Sequence, residues 1–195
     1  MNESTLPSSE NDSFYSKDTS LNNTISDLDQ QETEQNEMDK FRVIIPISNL
    51  LLEIIQDNKI NMRSHYIKKD SFYSAYIPSI SIEDYLKRII KWSCIELSTL
   101  ICSIIYIDKI CESKNYVLSM NNIHRMLIAS IVNSTKYNED KHLKNVEFAK
   151  IGGVSVEEMN RIEYLFFTYL GCELYVSVEH YDRYEKYFLH CINSG

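Results

Sequence analysis

The residues that could do chemistry in this sequence do not form a catalytic or phosphate-binding motif. The chain of 195 residues has only four glycines, and none of the patterns G-x-x-x-x-G-K-[ST], G-x-G-x-x-G, H-E-x-x-H or G-x-S-x-G occurs in it. Its five histidines are scattered, and none has a second metal ligand three or four positions further along. We therefore predict that the protein is not an enzyme, and has no catalytic residues, metal site, cofactor or small-molecule substrate.

Neighbouring carboxylates occur as Glu139-Asp140 and as Glu157-Glu158. Pairs of this kind can act in acid–base catalysis. The first pair, however, lies in a polar loop, and the second follows Ser155 at the start of a helical pattern, where negative charge is favourable. We interpret the first pair as part of a solvated loop and the second as part of a helix N-terminus.

Lys136 and Glu163 are the charged residues that stand out, because each lies at the end of an otherwise apolar helical segment. Most charged side chains are simply solvated, so a separation of 27 residues alone favours two unrelated surface groups. The apolar residues nearby are ambiguous too. Phe167 and Leu174 fit either the core or an interface, since a helical stripe does not separate these two roles.

The elements that would position these residues are helices, and no strand pattern of any strength is present. The sequence therefore predicts an all-α fold. The predicted helices cover Ile47 to Ile55, Ser81 to about Cys94, Glu96 to Glu112, Asn121 to Asp140, Lys144 to Gly153, Ser155 to Leu174, and Ser177 to Phe188.

Helix boundaries are indicated by capping residues. Ser81 with Asp84, and Ser155 with Glu158, have the spacing of a capping box, in which the first side chain binds the backbone three residues on. Gly152 and the glycine after it supply the left-handed conformation that ends a helix. The stretch Glu96 to Glu112 is apolar on nearly all sides, which predicts a central helix surrounded by others.

Composition divides the chain into three parts. Residues 1–40 hold 10 acidic and 2 basic side chains and few large apolar ones, so we predict a disordered acidic tail there. Residues 41–80 should contain a short helix that begins after Pro46, followed by an extended linker. Residues 81–192 should form the helical domain with a short helix at its C-terminal end.

The charge balance argues against nucleic acid and membrane surfaces as partners. Residues 41–195 carry 18 acidic and 18 basic side chains, so they lack the positive field that binds phosphate backbones. No signal peptide and no span of about 18 apolar residues is visible. The five cysteines form no C-x-x-C pair, which favours reduced thiols. We expect a protein of the cytoplasm, the nucleus or both.

Three stretches together resemble a known family. IPSISIEDYLKRI, LIASIVNSTKYNED and NVEFAKIGGVSVEEMNRIEYLFFTYLGCEL occur in that order, and they are similar to the cyclin box of the phosphate-system cyclins, also called P- or U-type cyclins. The resemblance covers roughly Phe72 to Leu174. It implies a single five-helix cyclin box, with one extra helix before it and a short helix after it.

The resemblance also implies a binding site for a cyclin-dependent protein kinase. In the family, the third and fifth helices of the box receive the regulatory helix of the kinase. The third helix carries a lysine and an aromatic residue, which match Lys136 and Tyr137. The fifth carries a glutamate, which matches Glu163, and Phe167 and Leu174 match apolar positions that pack against the kinase. The lysine would donate to backbone carbonyls of the kinase, and the glutamate would accept from its backbone amides.

The function implied by the resemblance is that of an activating subunit, which directs a kinase in cell-cycle or nutrient (phosphate) signalling. The sequence departs from the family at Asn133, where an apolar interface residue is common. Tyr85 to Ile89 also lacks the arginine-containing patch through which many mitotic cyclins dock substrates. The alternative is a scaffold or transcription adaptor that uses the same helical fold to bind a non-kinase partner or a promoter, and promoter binding would require a basic face.

Overall fold

A computed structural model describes residues 15–61 and 66–194, with side chains from residue 38 onward. The described part of the chain contains seven α-helices and no strand, which confirms the all-α prediction. The helices are α1 (Tyr15–Ile60), α2 (Ile82–Ser93), α3 (Leu97–Lys114), α4 (Ile123–Asn138), α5 (Asn145–Gly152), α6 (Val156–Tyr169) and α7 (Val178–Ser194). Helices α2 to α6 correspond to the five helices implied by the resemblance.

The chain divides into two units, Met1–Met38 and Asp39–Gly195. In the first unit the backbone of residues 15–38 is helical, whereas the composition predicted disorder for residues 1–40. Residues 1–14 lie outside the described residues. Disorder of residues 1–40 in solution stays a prediction.

The part of α1 that belongs to the second unit contributes Val43, Ile44, Ile47 and Leu51 to the core. We predicted that this helix begins after Pro46, and that was wrong, because α1 continues through the proline. Proline costs a helix one backbone hydrogen bond. Burial of apolar side chains on both sides of Pro46 offsets that loss.

Helix α2 begins as the sequence predicted. The Ser81 hydroxyl accepts from the backbone N–H of Asp84 at 3.0 Å and donates to the Asp84 carboxylate at 2.8 Å. Its apolar positions face the core, where Ile82, Leu86 and Ile89 are buried. The helix ends at Cys94, whose φ of 53° is left-handed.

Helix α6 begins with only half of the predicted capping box. The Ser155 hydroxyl accepts from the backbone N–H of Glu158 at 3.1 Å, as expected. The Glu158 carboxylate does not reach back to Ser155, because it forms an ion pair with Arg125 of α4. This ion pair joins the start of α6 to the first turn of α4.

Helix α4 is the centre of the box, since it packs against α2, α3, α5 and α6. Helix α3 is buried on all sides through its middle, over residues 99–107, which agrees with the predicted central helix, and it packs against α4 and α7. Small residues allow α3 and α4 to approach closely. The hydroxyls of Ser130 and Ser134 donate to the carbonyls of Ser103 at 2.5 Å and Thr99 at 2.7 Å.

The linker between α1 and α2 has no helix over residues 67–81 and runs through bends and turns. It is fixed by Phe72, which is fully buried and makes edge-to-face contacts with Tyr116 and Phe166 at centroid distances of 6.2 Å. The Asp70 carboxylate accepts from the Tyr169 hydroxyl at 3.0 Å. The linker is therefore attached to the end of α6.

Helix α7 continues to Ser194, beyond the predicted end at Phe188. Phe188 is fully buried, and the Tyr184 hydroxyl donates to the Asp108 carboxylate of α3. Helix α7 therefore packs against α3.

Candidate functional site

The structure brings Lys136 and Glu163 together. Lys136 lies in the last turn of α4, and Glu163 lies in the middle of α6, which packs beside it. The Lys136 Nζ and Glu163 Oε1 atoms are 2.5 Å apart, and the two side chains are 33% and 19% exposed. The residues are therefore not two unrelated surface groups, because they form one partly desolvated ion pair.

This ion pair lies in a groove of about 400 Å³ between α4, α6 and the segment that follows α6. All five residues that the resemblance implied for kinase binding line it. The lining residues are Asn133, Lys136, Tyr137, Glu163, Tyr164, Phe167 and Leu174. We call this surface the α4–α6 groove.

Two amide side chains hold Glu163 in place. Asn145 Nδ2, at the start of α5, donates to Glu163 Oε2 at 2.5 Å. Asn133 Nδ2 donates to the backbone carbonyl of Glu163 at 3.2 Å and to that of Ala129 at 2.8 Å. An apolar residue at position 133 could make neither bond. The departure from the family pattern thus has a structural role, which is to tie α4 to α6 beneath the groove.

The apolar residues of α6 divide between the core and the groove. Ile162 and Phe166 are fully buried, as their helical spacing indicated. Phe167 and Leu174 are only partly buried, and both line the groove. Leu174 also packs against the core, so both roles that the sequence left open stay open for it.

Leu174 is held in place by α3. The Tyr106 hydroxyl donates to the Leu174 carbonyl at 2.6 Å, and burial raises the pKa of Tyr106, so this hydroxyl stays protonated. Lys109 Nζ donates to the next carbonyl, that of Tyr175, at 2.7 Å. The segment that closes one end of the groove is therefore fixed by side chains of a buried helix.

Sequence reasoning missed Tyr164 and Asn145. Tyr164 is 73% exposed on the groove side of α6, one turn before Phe167. The sequence could have indicated Tyr164, because it lies outside the buried stripe of an amphipathic helix. A tyrosine in such a position is exposed, and exposed aromatic residues are enriched at interfaces. Asn145 gave no such signal, since its contact with Glu163 depends on how α5 meets α6.

The α4–α6 groove offers hydrogen-bonding groups and apolar surface. Lys136 can donate, Glu163 can accept, and the aromatic residues present flat apolar faces. Among the described residues, no group of three or more histidine, cysteine or carboxylate side chains is placed to hold a metal ion. Within the same residues, none of the helices has the length and apolar character needed to cross a membrane.

Comparison with known proteins gives the family. The model of the Cyclin family matches residues 7–174. Cyclin-U2-1 of Arabidopsis thaliana is 33% identical over 145 residues, which cover 73% of this chain and 65% of that protein. Cyclin-P3-1 of Oryza sativa subsp. japonica is 28% identical over 182 residues, which cover 92% of this chain and 75% of that protein.

A fungal relative gives the same result. PHO85 cyclin-7 of Saccharomyces cerevisiae is 31% identical over 126 residues, which cover 58% of this chain and 44% of that protein. For three Arabidopsis U-type cyclins, the matched part spans between 51% and 65% of the relative's length.

Three observations agree on the family. The family model matches most of the chain, and helices α2 to α6 form the expected box. The similar proteins are U-type, P-type and PHO85 cyclins. The chain is a member of the cyclin family, of the P/U type, and has the cyclin fold.

Proposed function

We propose that this protein is a regulatory subunit that binds a cyclin-dependent protein kinase through the α4–α6 groove and positions the regulatory helix of that kinase. The chain itself would perform no chemistry. The observation that carries this proposal is the clustering of Lys136, Tyr137, Glu163, Phe167 and Leu174 in one groove. These residues match the kinase-contacting positions of the family, and they come from two separate stretches of the chain, 136–137 and 163–174.

The ion pair leaves both partners able to bind further groups. An ammonium group has three N–H donors, and Lys136 uses one of them for Glu163. A carboxylate can accept about four hydrogen bonds, and Glu163 accepts one from Lys136 and one from Asn145. The lysine can therefore donate to carbonyls at the end of a kinase helix while the glutamate accepts from backbone amides.

The apolar part of the groove supplies the rest of the interface. Tyr137 and Tyr164 are 52% and 73% exposed. Their aromatic rings therefore leave a large apolar area in contact with solvent. A lasting complex buries on the order of 1,000 Å² or more, so the kinase would have to contact surfaces beyond the groove as well.

The effect on the kinase would be a shift between conformations. A subunit that binds the inward position of the regulatory helix more tightly raises the fraction of kinase in that position. A lysine and a glutamate of the kinase are then in place to position ATP. We place the protein in cell-cycle or nutrient (phosphate) signalling, in the cytoplasm, the nucleus or both.

The test is an affinity pull-down from the source cell with the full chain as bait. Wild type is compared with Lys136→Ala, with Glu163→Ala and with the double variant. Bound proteins are identified by mass spectrometry and assayed for kinase activity. We expect wild type to recover an active kinase, and each substitution to weaken its binding by roughly 2 to 5 kcal/mol, because the partner's polar groups are left unpaired.

The matched control is the ion pair between Lys87 and Glu83 on α2, whose Nζ and Oε1 atoms are 2.6 Å apart and which lies outside the groove. Lys87→Ala with Glu83→Ala should leave kinase recovery unchanged. Equal recovery by the groove variants and wild type would contradict the role of the ion pair. Recovery of no kinase by wild type would contradict the whole proposal and favour a cyclin fold that binds another partner.

A further inference from the structure

A second pocket lies at the opposite end of α4 from the α4–α6 groove. It has a volume of about 420 Å³ and is bounded by α2, the first turn of α4, the linker before α2 and the turn after α5. Along α4, His124 and Lys136 are 12 residues apart, which corresponds to about 18 Å at 1.5 Å per residue. The pocket is therefore separate from the proposed kinase site.

The pocket has cationic lining and no acidic lining residue. Arg88 of α2 and Arg125 of α4 both line it, together with Tyr85, Ser79 and His124. The Glu158 carboxylate on α6 is held in its ion pair with Arg125 and does not line the pocket. A pocket of this composition favours a negatively charged ligand.

The two arginines are anchored by backbone carbonyls. Arg88 Nη2 donates to the carbonyl of Lys150 at 2.9 Å, and Arg125 Nη1 donates to that of Tyr73 at 2.7 Å. A guanidinium has five N–H donors, so each arginine keeps donors for a ligand. Anchored guanidinium groups lose little freedom when they bind a second acceptor, which suits them to phosphate recognition.

His124 supplies the observation that points to a ligand. His124 is 5% exposed, and its Nε2 atom lies 3.0 Å from the carbonyl oxygen of Ile80. Because a carbonyl oxygen can only accept a hydrogen bond, Nε2 must carry the proton and donate it. In the neutral ring Nδ1 is then an acceptor. This atom is buried, and no described residue donates to it. A buried polar atom without a partner is costly, so it marks a place where a ligand atom can be favourable.

We propose that this pocket binds a phosphate group, either free or carried as a monoester, through Arg88, Arg125 and His124. A phosphate monoester can carry one proton on oxygen. The P–OH group of the monoanion can donate to His124 Nδ1, or the proton can move to Nδ1, which then donates to the dianion. In both cases one proton lies between the ring and the phosphate, while other phosphate oxygens accept from the arginines.

The position of the pocket strengthens this assignment. His124 and Arg125 lie in the first turn of α4, at the positive end of the helix dipole. Pro78, Met120 and Val154 also line the pocket, and they offer apolar contacts to the organic part of an ester. A ligand here would join α2, α4 and the linker, all of which belong to the same unit of the chain.

The test is calorimetric titration of the full chain at low salt with inorganic phosphate, phenyl phosphate and phenyl sulfate. We expect saturable binding of the phosphates and weaker binding of phenyl sulfate, since a sulfate monoester has no proton to share with His124. Phenyl phosphate binding more tightly than inorganic phosphate would identify an ester as the ligand. Tighter binding of inorganic phosphate than of phenyl phosphate would identify free phosphate.

The decisive variant is Arg88→Gln, which we expect to weaken phosphate binding about tenfold through loss of a charge-assisted hydrogen bond. Arg88 is exposed, so its substitution should leave the fold intact. Lys87→Gln is the matched control, because it removes a neighbouring cation that does not line the pocket. Equal binding by the two variants, or no saturable binding by wild type, would overturn the proposal.

A second measurement needs no variant. The pKa of His124 lies below its usual value because of burial, and the charges near it are Arg88 on α2, Arg125 on α4 and Glu158 on α6. Bound phosphate should raise this pKa, which NMR titration of the imidazole ring can follow. An unchanged His124 signal at saturating phosphate would overturn the assignment. Neither measurement requires a kinase, so this result and the kinase test can fail independently.

Discussion

Phe166 and Phe167 are neighbours in sequence and lie in different regions of the molecule. Phe166 is fully buried and makes an edge-to-face contact with Phe72, so it belongs to the region where α6 meets the core. Phe167 is partly exposed and lines the α4–α6 groove. One helix thus presents an aromatic residue to the core and another to the groove. If the groove binds a partner as proposed, stability and binding depend on separate faces of α4 and α6 and can be changed separately.

The largest difference between the two regions is expected when each phenylalanine is replaced by alanine. Phe166→Ala should lower the free energy of unfolding by about 3 to 5 kcal/mol, because it removes a packed ring and leaves a cavity. Phe167→Ala should lower it by about 1 kcal/mol or less and weaken kinase binding by about 1 to 2 kcal/mol. Urea unfolding and the pull-down measure the two effects. Equal losses of stability would mean that Phe167 is a core residue.

A smaller effect is expected between α3 and α4, on the face of α4 that is turned away from the groove. Ser134 is fully buried, and its hydroxyl donates to the carbonyl of Thr99. Ser134→Ala should cost about 1 kcal/mol of unfolding free energy and leave kinase binding unchanged. Thr168→Ala is the control, since the Thr168 hydroxyl also donates to a backbone carbonyl, that of Tyr164 in its own helix, but is exposed. A similar loss in both variants would contradict the idea that burial gives the Ser134 bond its value.

The smallest expected effect concerns the contribution of the groove ion pair to folding. A double-mutant cycle with Lys136→Ala and Glu163→Ala should give a coupling of about 0.2 to 1 kcal/mol in unfolding free energy, because both groups remain partly solvated. Added salt should reduce it. A coupling of several kcal/mol would show that the pair holds α4 and α6 together, and the separation between stability and binding would then fail at this point.

The sequence predicted those parts of the fold that depend on local signals. Ser81, Ser155 and the glycine pair at Gly152 fixed the starts and ends of helices to within a few residues, because capping is a contact between near neighbours. The path of α1 through Pro46 was not predictable in this way. It depends on burial of Ile44 and Ile47 against helices that are distant in sequence.

The candidate site shows the same division. Lys136 and Glu163 were found through the resemblance, and the structure adds that they pair with each other. Asn145 could not be found, because its role arises from the meeting of α5 and α6. The unpaired Nδ1 atom of His124 could not be predicted from the sequence either. It lacks a donor because the other ring nitrogen is bonded to the Ile80 carbonyl, and this contact depends on the fold.

The pairing of Lys136 with Glu163 has a consequence for the kinetics of association. The two charges cancel locally, so the α4–α6 groove presents little net field to an approaching partner. In the proposed complex this pair would then give little electrostatic steering, and an unsteered association has a rate constant on the order of 10⁵ to 10⁶ per molar per second. Differences in affinity between partners would therefore arise in how slowly each complex dissociates. Fixed positions for both side chains lengthen that residence time, because little rotamer freedom is lost when the complex forms.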